Sequence, residues 1–180
     1  MAPPRRDLDF VETFRAPRVL TLEQLCARLR SSRSTVLRRL DEHGYYSSYN
    51  HSGRFLTVQE VADFDSRGLW VWKTARFSRH GNLKQTLAFF VEDSKQGITH
   101  EELATLLGVR AHNTLLELIQ EKKIRRERLG PTFVYLSYQT SVRRKQVRRR
   151  QLLLAEGQDL FVKGTHLQPA GCNAPGVPAH

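Results

Sequence analysis

The feature that most constrains the fold of this chain is a pattern of framework residues that occurs twice, 78 positions apart. The first copy, from Thr21 to Leu40, reads TLEQLCARLRSSRSTVLRRL, and the second, from Thr99 to Leu118, reads THEELATLLGVRAHNTLLEL. One threonine and four leucines coincide, and a small residue follows the first of these leucines in both copies. Because most of the intervening residues differ, the repeat predicts one scaffold that carries two different surfaces.

Both copies begin with the signal for the start of a helix. Thr21 with Gln24, and Thr99 with Glu102, have the spacing of a capping box, in which each side chain binds the other residue's backbone amide. The apolar residues that follow recur at helical spacing, and a turn separates this helix from the next one. In the second copy Gly108 supplies the turn, as glycine commonly does between two such helices.

One helix precedes each copy, and a hairpin follows it. Turn-forming residues at 50–53 and at 130–131 predict the two hairpins. Besides the helix that Thr21 caps, the predicted helices are 7–15, 33–42, 83–95, 101–107 and 110–122, and the predicted strands are 45–49, 54–58, 124–129 and 132–137. These patterns predict an α+β fold that is mainly α.

The segment between the copies is too aromatic for a flexible linker. We expect Trp70, Trp72 and Phe77 to pack the two units together, although exposed rings could instead form a platform for stacked bases. The Pro- and Gly-rich end of the chain predicts disorder. The expected regions are a first unit at 7–62, an ordered aromatic connector at 63–81, a second unit at 82–138, an Arg-rich helix at 139–156 and a disordered tail at 157–180.

The charge of the chain indicates a polyanionic partner. Lys and Arg number 29 against 18 Asp and Glu, which gives a formal net charge of +11. Such a balance favours nucleic acid over a membrane surface. The sequence has no secretory signal, no membrane-spanning run and only two distant cysteines, so we expect a cytoplasmic, nucleoid-associated protein without disulfides.

In the first copy, the second helix carries a basic surface. Val36, Leu37 and Leu40 have the spacing of a core face, which leaves a polar set for the solvent side. Arginine in such a position can bind guanine with two hydrogen bonds, although the set could also be a solvated basic face. The candidate residues here are Ser32, Arg33, Ser34, Thr35, Arg38 and Arg39, with His51 and Arg54 from the following hairpin.

The second copy has a less basic helix and a more basic hairpin. Glu117 would repel phosphates, so this helix either reads bases with little backbone support or faces a protein. On the hairpin, strand alternation places Arg126 and Arg128 on one face, and Arg125 on the other could pair with Glu127. The candidate residues of this unit are Arg110, His112, Asn113, Arg125, Arg126 and Arg128.

The most concentrated charge follows the second hairpin. If this segment is helical, its cations cover much of the circumference and can bind phosphates without reading sequence. Six neutralised phosphates would give a slope of about −5 for log affinity against log salt. The alternative is a solvated, mobile segment. The candidates are Arg143, Arg144, Lys145, Arg148, Arg149 and Arg150.

The sequence offers little for catalysis. No phosphate-binding loop, nucleophile elbow or zinc-protease motif is present. Asp63 and Asp65 are close enough in sequence to hold a metal, but carboxylates in a connector more often serve turns and caps. We therefore expect a protein that is not an enzyme and that has no catalytic residue, metal or cofactor.

Two passages resemble the winged-helix superfamily of DNA-binding proteins. SRSTVLRRLDEHGY, from Ser32 to Tyr45, is similar to the recognition helix and hairpin entry of prokaryotic regulators, and EELATLLGV, at 101–109, is similar to their second helix and turn. The resemblance spans Leu20 to Ser137 and implies two tandem winged helices. Arg30 stands where the family has glycine, so we expect a reshaped turn there.

The resemblance implies a protein that binds double-stranded DNA, either a transcriptional regulator or an accessory factor of a phage or mobile element. Tandem winged helices also serve as protein-interaction adaptors, so docking remains the alternative. A protein partner or a homodimer could use the second unit or the C-terminal helix, and no membrane partner is expected. One continuous basic face would favour DNA binding, whereas scattered cations would favour the adaptor.

Overall fold

The computed structural model describes residues 5–156, which form an α+β fold with seven α-helices and three small antiparallel sheets. The first unit contains three helices and a three-stranded sheet. Its elements are α1 (Arg5–Arg15), β1 (Leu20–Thr21), α2 (Leu22–Leu29), α3 (Arg33–His43), β2 (Tyr45–Ser47) and β3 (Phe55–Val58). The first hairpin, β2–β3, contains a short 3-10 turn at its tip.

A two-stranded connector hairpin follows, and then a second unit and a final helix. The connector hairpin is β4 (Leu69–Trp72) and β5 (Ala75–Ser78). The second unit comprises α4 (Leu83–Asp93), β6 (Ile98–Thr99), α5 (His100–Leu107), α6 (His112–Gln120), β7 (Ile124–Leu129) and β8 (Thr132–Ser137). The last described element is α7 (Thr140–Ala155).

The two units have the same order of elements and the same sheet topology. The strand orders are β1-β3-β2 and β6-β8-β7, so in both units the short first strand pairs with the last one. Leu20 lies opposite Leu56 in the first sheet, and Ile98 lies opposite Tyr135 in the second. The repeated sequence pattern therefore corresponds to a repeated local architecture.

Both predicted capping boxes are confirmed. The Thr21 hydroxyl accepts from the Gln24 amide at 3.3 Å, and the Gln24 side chain accepts from the Thr21 amide at 2.9 Å. Thr99 and Glu102 make the same reciprocal pair at 3.1 and 2.7 Å. These local pairs satisfy amides that a helix start otherwise leaves without a partner.

The turn at Arg30 is reshaped in its length and hydrogen bonds, but not at the residue that ends α2. Arg30 has φ 47° and ψ 43°, and Gly108, its counterpart after α5, has φ 63° and ψ 25°. Both residues are left-handed, which is a conformation that costs a non-glycine residue about 1–2 kcal/mol. The first turn has three residues between its helices and the second has four, and the Ser31 amide donates to the Cys26 carbonyl where the Gly108 amide donates to the Ala104 carbonyl.

Other element boundaries differ from the predictions by a few residues. The helix predicted at 110–122 is His112–Gln120, and the first-hairpin strands are shorter than predicted, at Tyr45–Ser47 and Phe55–Val58. The strands of the second hairpin begin and end as predicted. The disorder predicted for 157–180 lies outside the described residues.

Each three-stranded sheet packs its inner face against the helices of its own unit. In the first unit the buried core residues are Phe10, Phe14, Leu20, Leu25, Val36, Leu40, Leu56 and Val58. In the second, Ile124 and Tyr135 of the sheet pack with Leu103, Leu115 and Leu118 of the helices. The framework leucines of the repeat thus pack into the core of each unit, where those of the second unit are all buried and two of those of the first, Leu29 and Leu37, are partly buried.

The outer faces of the two sheets are covered by different elements. Tyr46 and Phe55 of the first sheet pack with Trp70 and Phe77 of the connector hairpin. Val134 and Leu136 of the second sheet, together with Leu129, pack against Val147 of α7. The connector hairpin and α7 are therefore structural counterparts that share no sequence pattern.

The tryptophans are packed, as predicted, but against the first unit and not between the two units. Trp70 is buried and Trp72 is half-buried, and the Arg18 guanidinium lies 5.1 and 5.0 Å from the centroids of the two rings. A ring that is enclosed in this way is closed to base stacking. The hairpin geometry of this connector was not predicted.

The connector also joins the units. Tyr49, which follows β2, belongs to the core of the second unit, and its hydroxyl donates to the Leu107 carbonyl at 2.8 Å. Its backbone amide donates to the Arg76 carbonyl at 2.8 Å.

None of the helices described is both long enough and apolar enough to cross a membrane.

Candidate nucleic-acid interface

The first half of α3 presents the predicted polar surface. Ser32 caps the helix, because its hydroxyl accepts from the Thr35 amide at 3.3 Å. Arg33, Ser34 and Arg38 are exposed, whereas the apolar side of α3 is buried in the core. Three exposed polar side chains and a helix start therefore point into solvent together.

Arg54 of the first hairpin and Arg33 of α3 both favour the charged form of Glu23, in the first turn of α2. The pKa of Glu23 lies below its ordinary value, first because its own backbone amide binds the carboxylate and second because Thr21 does. Arg54 and Arg33 lower this pKa further by their positive charge. All three side chains are exposed, so Glu23 offsets part of the positive charge of the exposed arginines.

Two other candidates on α3 are less available. Arg38 forms an exposed ion pair with Glu42 at 2.8 Å, one helical turn away, which is a weak interaction that a phosphate could replace. Arg39 is half-buried. Of the arginines of α3, Arg33 and Arg38 are therefore the ones that reach solvent.

The tip of the first hairpin is fastened to the connector hairpin. The Asn50 side chain donates to the Thr74 carbonyl at 2.7 Å and accepts from the Arg76 amide at 2.9 Å. His51 Nε2 lies 3.2 Å from the same Thr74 carbonyl. His51 is exposed but held, so the tip is a fixed surface and not a free arm.

In the second unit, the start of α6 exposes Arg110, His112 and Asn113. Glu117, which the sequence predicts to repel phosphates, binds Lys84 of α4 at 3.2 Å, and Lys84 also binds Glu121. These carboxylates raise the pKa of Lys84, with Glu121 having the larger effect. Part of the negative charge of α6 is therefore compensated within the unit.

The arginines of the second hairpin lie on the two faces that strand alternation predicts. Arg126 and Arg128 share a face with Phe133, whose ring centroid lies 3.9 and 6.0 Å from the two guanidinium carbons. Arg125 lies on the other face, 5.5 Å from the Tyr138 ring. Phe133 is 46% exposed, so this face of the hairpin presents two cations and an aromatic ring to solvent.

Two of the candidate residues of the Arg-rich helix, Arg143 and Arg150, are engaged within the fold instead of facing solvent. Arg150 is 8% exposed, and its guanidinium donates to both Glu102 carboxylate oxygens, at 3.0 and 2.8 Å, and to the Gly97 carbonyl at 3.0 Å. Arg143 is largely covered and lies 3.4 Å from Glu127, the acid expected to pair with Arg125. Both arginines hold α7 in place, which leaves Arg144, Lys145, Arg148 and Arg149 exposed.

Asp65 has the predicted turn role, because its carboxylate accepts from the amides of Arg67 and Leu69 at 2.9 and 2.8 Å. Residues 5–156 contain no cluster of three His, Cys, Asp or Glu side chains that could hold a metal.

No protein-family model and no curated protein sequence matches this chain.

Proposed function

We propose that the protein is a non-enzymatic, double-stranded DNA-binding protein built from two tandem winged helices. In this proposal α3 is the recognition helix of the first unit, and β2–β3 and β7–β8 are the wings. Regulation of transcription and assistance to a phage or mobile element would both use this chemistry.

One observation carries the proposal. Arg33, Ser34 and Arg38 are exposed in the first half of α3, whose start is capped by Ser32. A helix start favours phosphate, and adjacent guanidinium groups can bind base edges or backbone. The order of elements, which is the same in both units, agrees with a winged-helix repeat.

The test is the binding of labelled random and selected duplexes over a series of salt concentrations. Affinity should fall steeply with salt, because each neutralised phosphate contributes about 0.9 to the log–log slope. Replacing Arg33 and Arg38 with Ala should weaken the selected site more than random DNA. Equal losses on both duplexes would mean that these side chains only position the protein.

The matched control removes the same charge elsewhere, with Arg15→Ala and Arg67→Ala, both exposed and distant from α3 in sequence. This variant should bind both duplexes within about twofold of the unaltered protein, since long-range effects of exposed charges are screened. Binding that is absent at low salt, or that does not respond to salt, contradicts the proposal.

A protein-interaction adaptor is the second candidate, and α6 favours it. Leu116 is 38% exposed beside Glu117, on a helix whose start has no side-chain cap. Replacing His112 and Asn113 with Ala separates the two functions. A loss of duplex affinity assigns α6 to DNA, whereas unchanged affinity leaves α6 for a protein.

A further inference from the structure

The second hairpin exposes an aromatic ring beside two cations. Phe133 lies opposite Arg128 near the tip of the hairpin, and Arg126 lies on the same face, two residues before Arg128. The Arg126 guanidinium lies over the ring, 3.9 Å from its centroid, yet Phe133 is 46% exposed. Part of the ring is therefore open to solvent next to a positive charge.

This exposed patch continues a face that is buried closer to the helices. Ile124 and Tyr135 lie on the same face of the hairpin and pack in the core of the second unit. Phe133 lies two residues before Tyr135 and belongs to none of the hydrophobic clusters of the described residues. The packing of the unit therefore does not account for an aromatic residue at this position.

Phe133 is the most exposed aromatic side chain between residues 5 and 156. The next two are Phe89 and Tyr138, each 39% exposed. Phe89 already stacks on His80, with 3.6 Å between the ring centroids, and Tyr138 lies on the other face of the hairpin, 5.5 Å from Arg125. Of these three rings, Phe133 is thus the one that has two guanidinium groups on its own face.

No acid of the described residues neutralises these two cations. Neither Arg126 nor Arg128 forms an ion pair there. Glu127, which lies between them in sequence, points to the opposite face, where Arg143 is 3.4 Å away. A strand of nucleic acid complements both parts of the patch, because its phosphates bind guanidinium groups and its bases stack on aromatic rings.

The state of the DNA decides whether such a ring can be used. In an uninterrupted duplex each base face is covered by the neighbouring base pair, so a base must be unpaired or displaced to reach a protein surface. We infer that the second hairpin stacks an unpaired base on Phe133, so that the protein prefers duplex DNA that adjoins a single-stranded segment. Arg126 and Arg128 bind the phosphates of that segment. This inference deepens the proposed function, on which it rests for the choice of DNA as the polymer.

The test uses three DNAs with identical ends. The first is an uninterrupted duplex, the second has a central single-stranded gap of roughly four nucleotides, and the third has the same gap with abasic sites. The abasic gap keeps the phosphates and removes the bases. Anisotropy should show that the unaltered protein binds the gap with bases about fivefold or more tighter than the abasic gap, since stacking one base on an aromatic side chain contributes at least this factor.

Phe133→Leu removes the ring and keeps an apolar side chain. This variant should bind the two gapped DNAs equally, and its affinity for the uninterrupted duplex should stay within about twofold, because that duplex offers no open base inside its length. Phe89→Leu is the matched control, at an exposed ring that is already stacked, and it should keep the preference for bases. Circular dichroism and urea midpoints establish that each variant is folded.

The cations are tested separately from the ring. The double variant Arg126→Gln with Arg128→Gln should weaken binding to both gapped DNAs alike, because phosphates are present in both. Its log–log salt slope should fall by about 1.4, from two phosphate contacts on a single strand. A double variant with an unchanged slope would overturn the assignment of these arginines to phosphates.

Three outcomes overturn the inference while the proposed function stands: the unaltered protein binds the uninterrupted duplex but does not distinguish bases from abasic sites, Phe133→Leu keeps that distinction, or Phe89→Leu loses it to the same extent. The first outcome is also the one expected if the patch binds an acidic protein. If the protein prefers the gap with bases but does not bind the uninterrupted duplex, the proposed function fails and the inference stands. Binding to none of the three DNAs overturns both.

Discussion

The outer face of the first sheet is covered by aromatic rings, and that of the second is covered by α7, which adds buried hydrogen bonds to a small apolar contact. Trp70 and Phe77 fill the first contact, where Phe77 has no exposed surface. In the second, Gln146 accepts from the Ser137 amide at 2.8 Å and donates to the carbonyls of Val91 and Ser94. The same three-stranded scaffold thus accepts two chemically different coverings.

The difference leaves α7 with room for a basic surface. A helix that is anchored by a few buried hydrogen bonds leaves the rest of its circumference without a packing role. The arginines of α7 are therefore divided between anchoring and exposure.

The largest expected effect is at the aromatic covering. Phe77→Ala should lower the free energy of unfolding by about 3–5 kcal/mol, because it leaves a cavity in a closed cluster. Urea titration followed by circular dichroism measures this. Phe133→Ala, on the exposed face of the second hairpin, is the matched control and should cost about 1 kcal/mol or less. Equal losses would mean that the connector is not a packed layer.

The polar covering is tested at its buried ion pair. Arg150→Ala should lower the free energy of unfolding by about 3 kcal/mol, because Glu102 keeps a buried charge without its partner. Arg149→Ala, one residue away and exposed, should change it by less than about 0.5 kcal/mol. If the two variants have the same stability, α7 is not anchored by Arg150.

The contact between the units is expected to have a smaller effect. Tyr49→Phe removes the buried hydroxyl that donates to the Leu107 carbonyl, at an expected cost of about 1–2 kcal/mol. Burial also raises the pKa of this hydroxyl, as expected for a phenol enclosed in a core. Tyr138→Phe, at an exposed ring, should be neutral within about 0.5 kcal/mol. A neutral Tyr49→Phe would show that this bond does not couple the units.

The smallest effect compares the two turns. Arg30→Gly should stabilise the protein by about 0.5 kcal/mol, because the relief of left-handed strain is partly offset by the freedom of glycine in the unfolded chain. Gly108→Ala should have the opposite sign, at a cost of about 1 kcal/mol, since φ is 63° and the new methyl group meets the Arg76 guanidinium. Thermal unfolding of both variants measures the signs, and equal signs would contradict the equivalence of the turns.

The parts of the fold that follow from local spacing could be predicted. The capping pairs Thr21–Gln24 and Thr99–Glu102 lie three residues apart, and strand alternation correctly divides Arg125 from Arg126. These features need no knowledge of distant residues.

What could not be predicted depends on contacts far along the chain. Arg150 is buried because Glu102, 48 residues earlier, lies beside it, and nothing near Arg150 distinguishes it from Arg149. The connector hairpin is defined by its packing on Tyr46 and Phe55. The effect of Arg33 and Arg54 on the pKa of Glu23 could not be predicted either, since the three residues come from two helices and a hairpin.

The enclosed position of the two tryptophans has a spectroscopic consequence. They are the only tryptophans of the chain, and both lie in the connector hairpin under the Arg18 guanidinium. Intrinsic fluorescence excited at the tryptophan band therefore reports on the packing of the connector hairpin against the first unit, while the helices dominate far-ultraviolet dichroism. The protein thus carries a built-in optical probe of whether this hairpin detaches before the helices unfold.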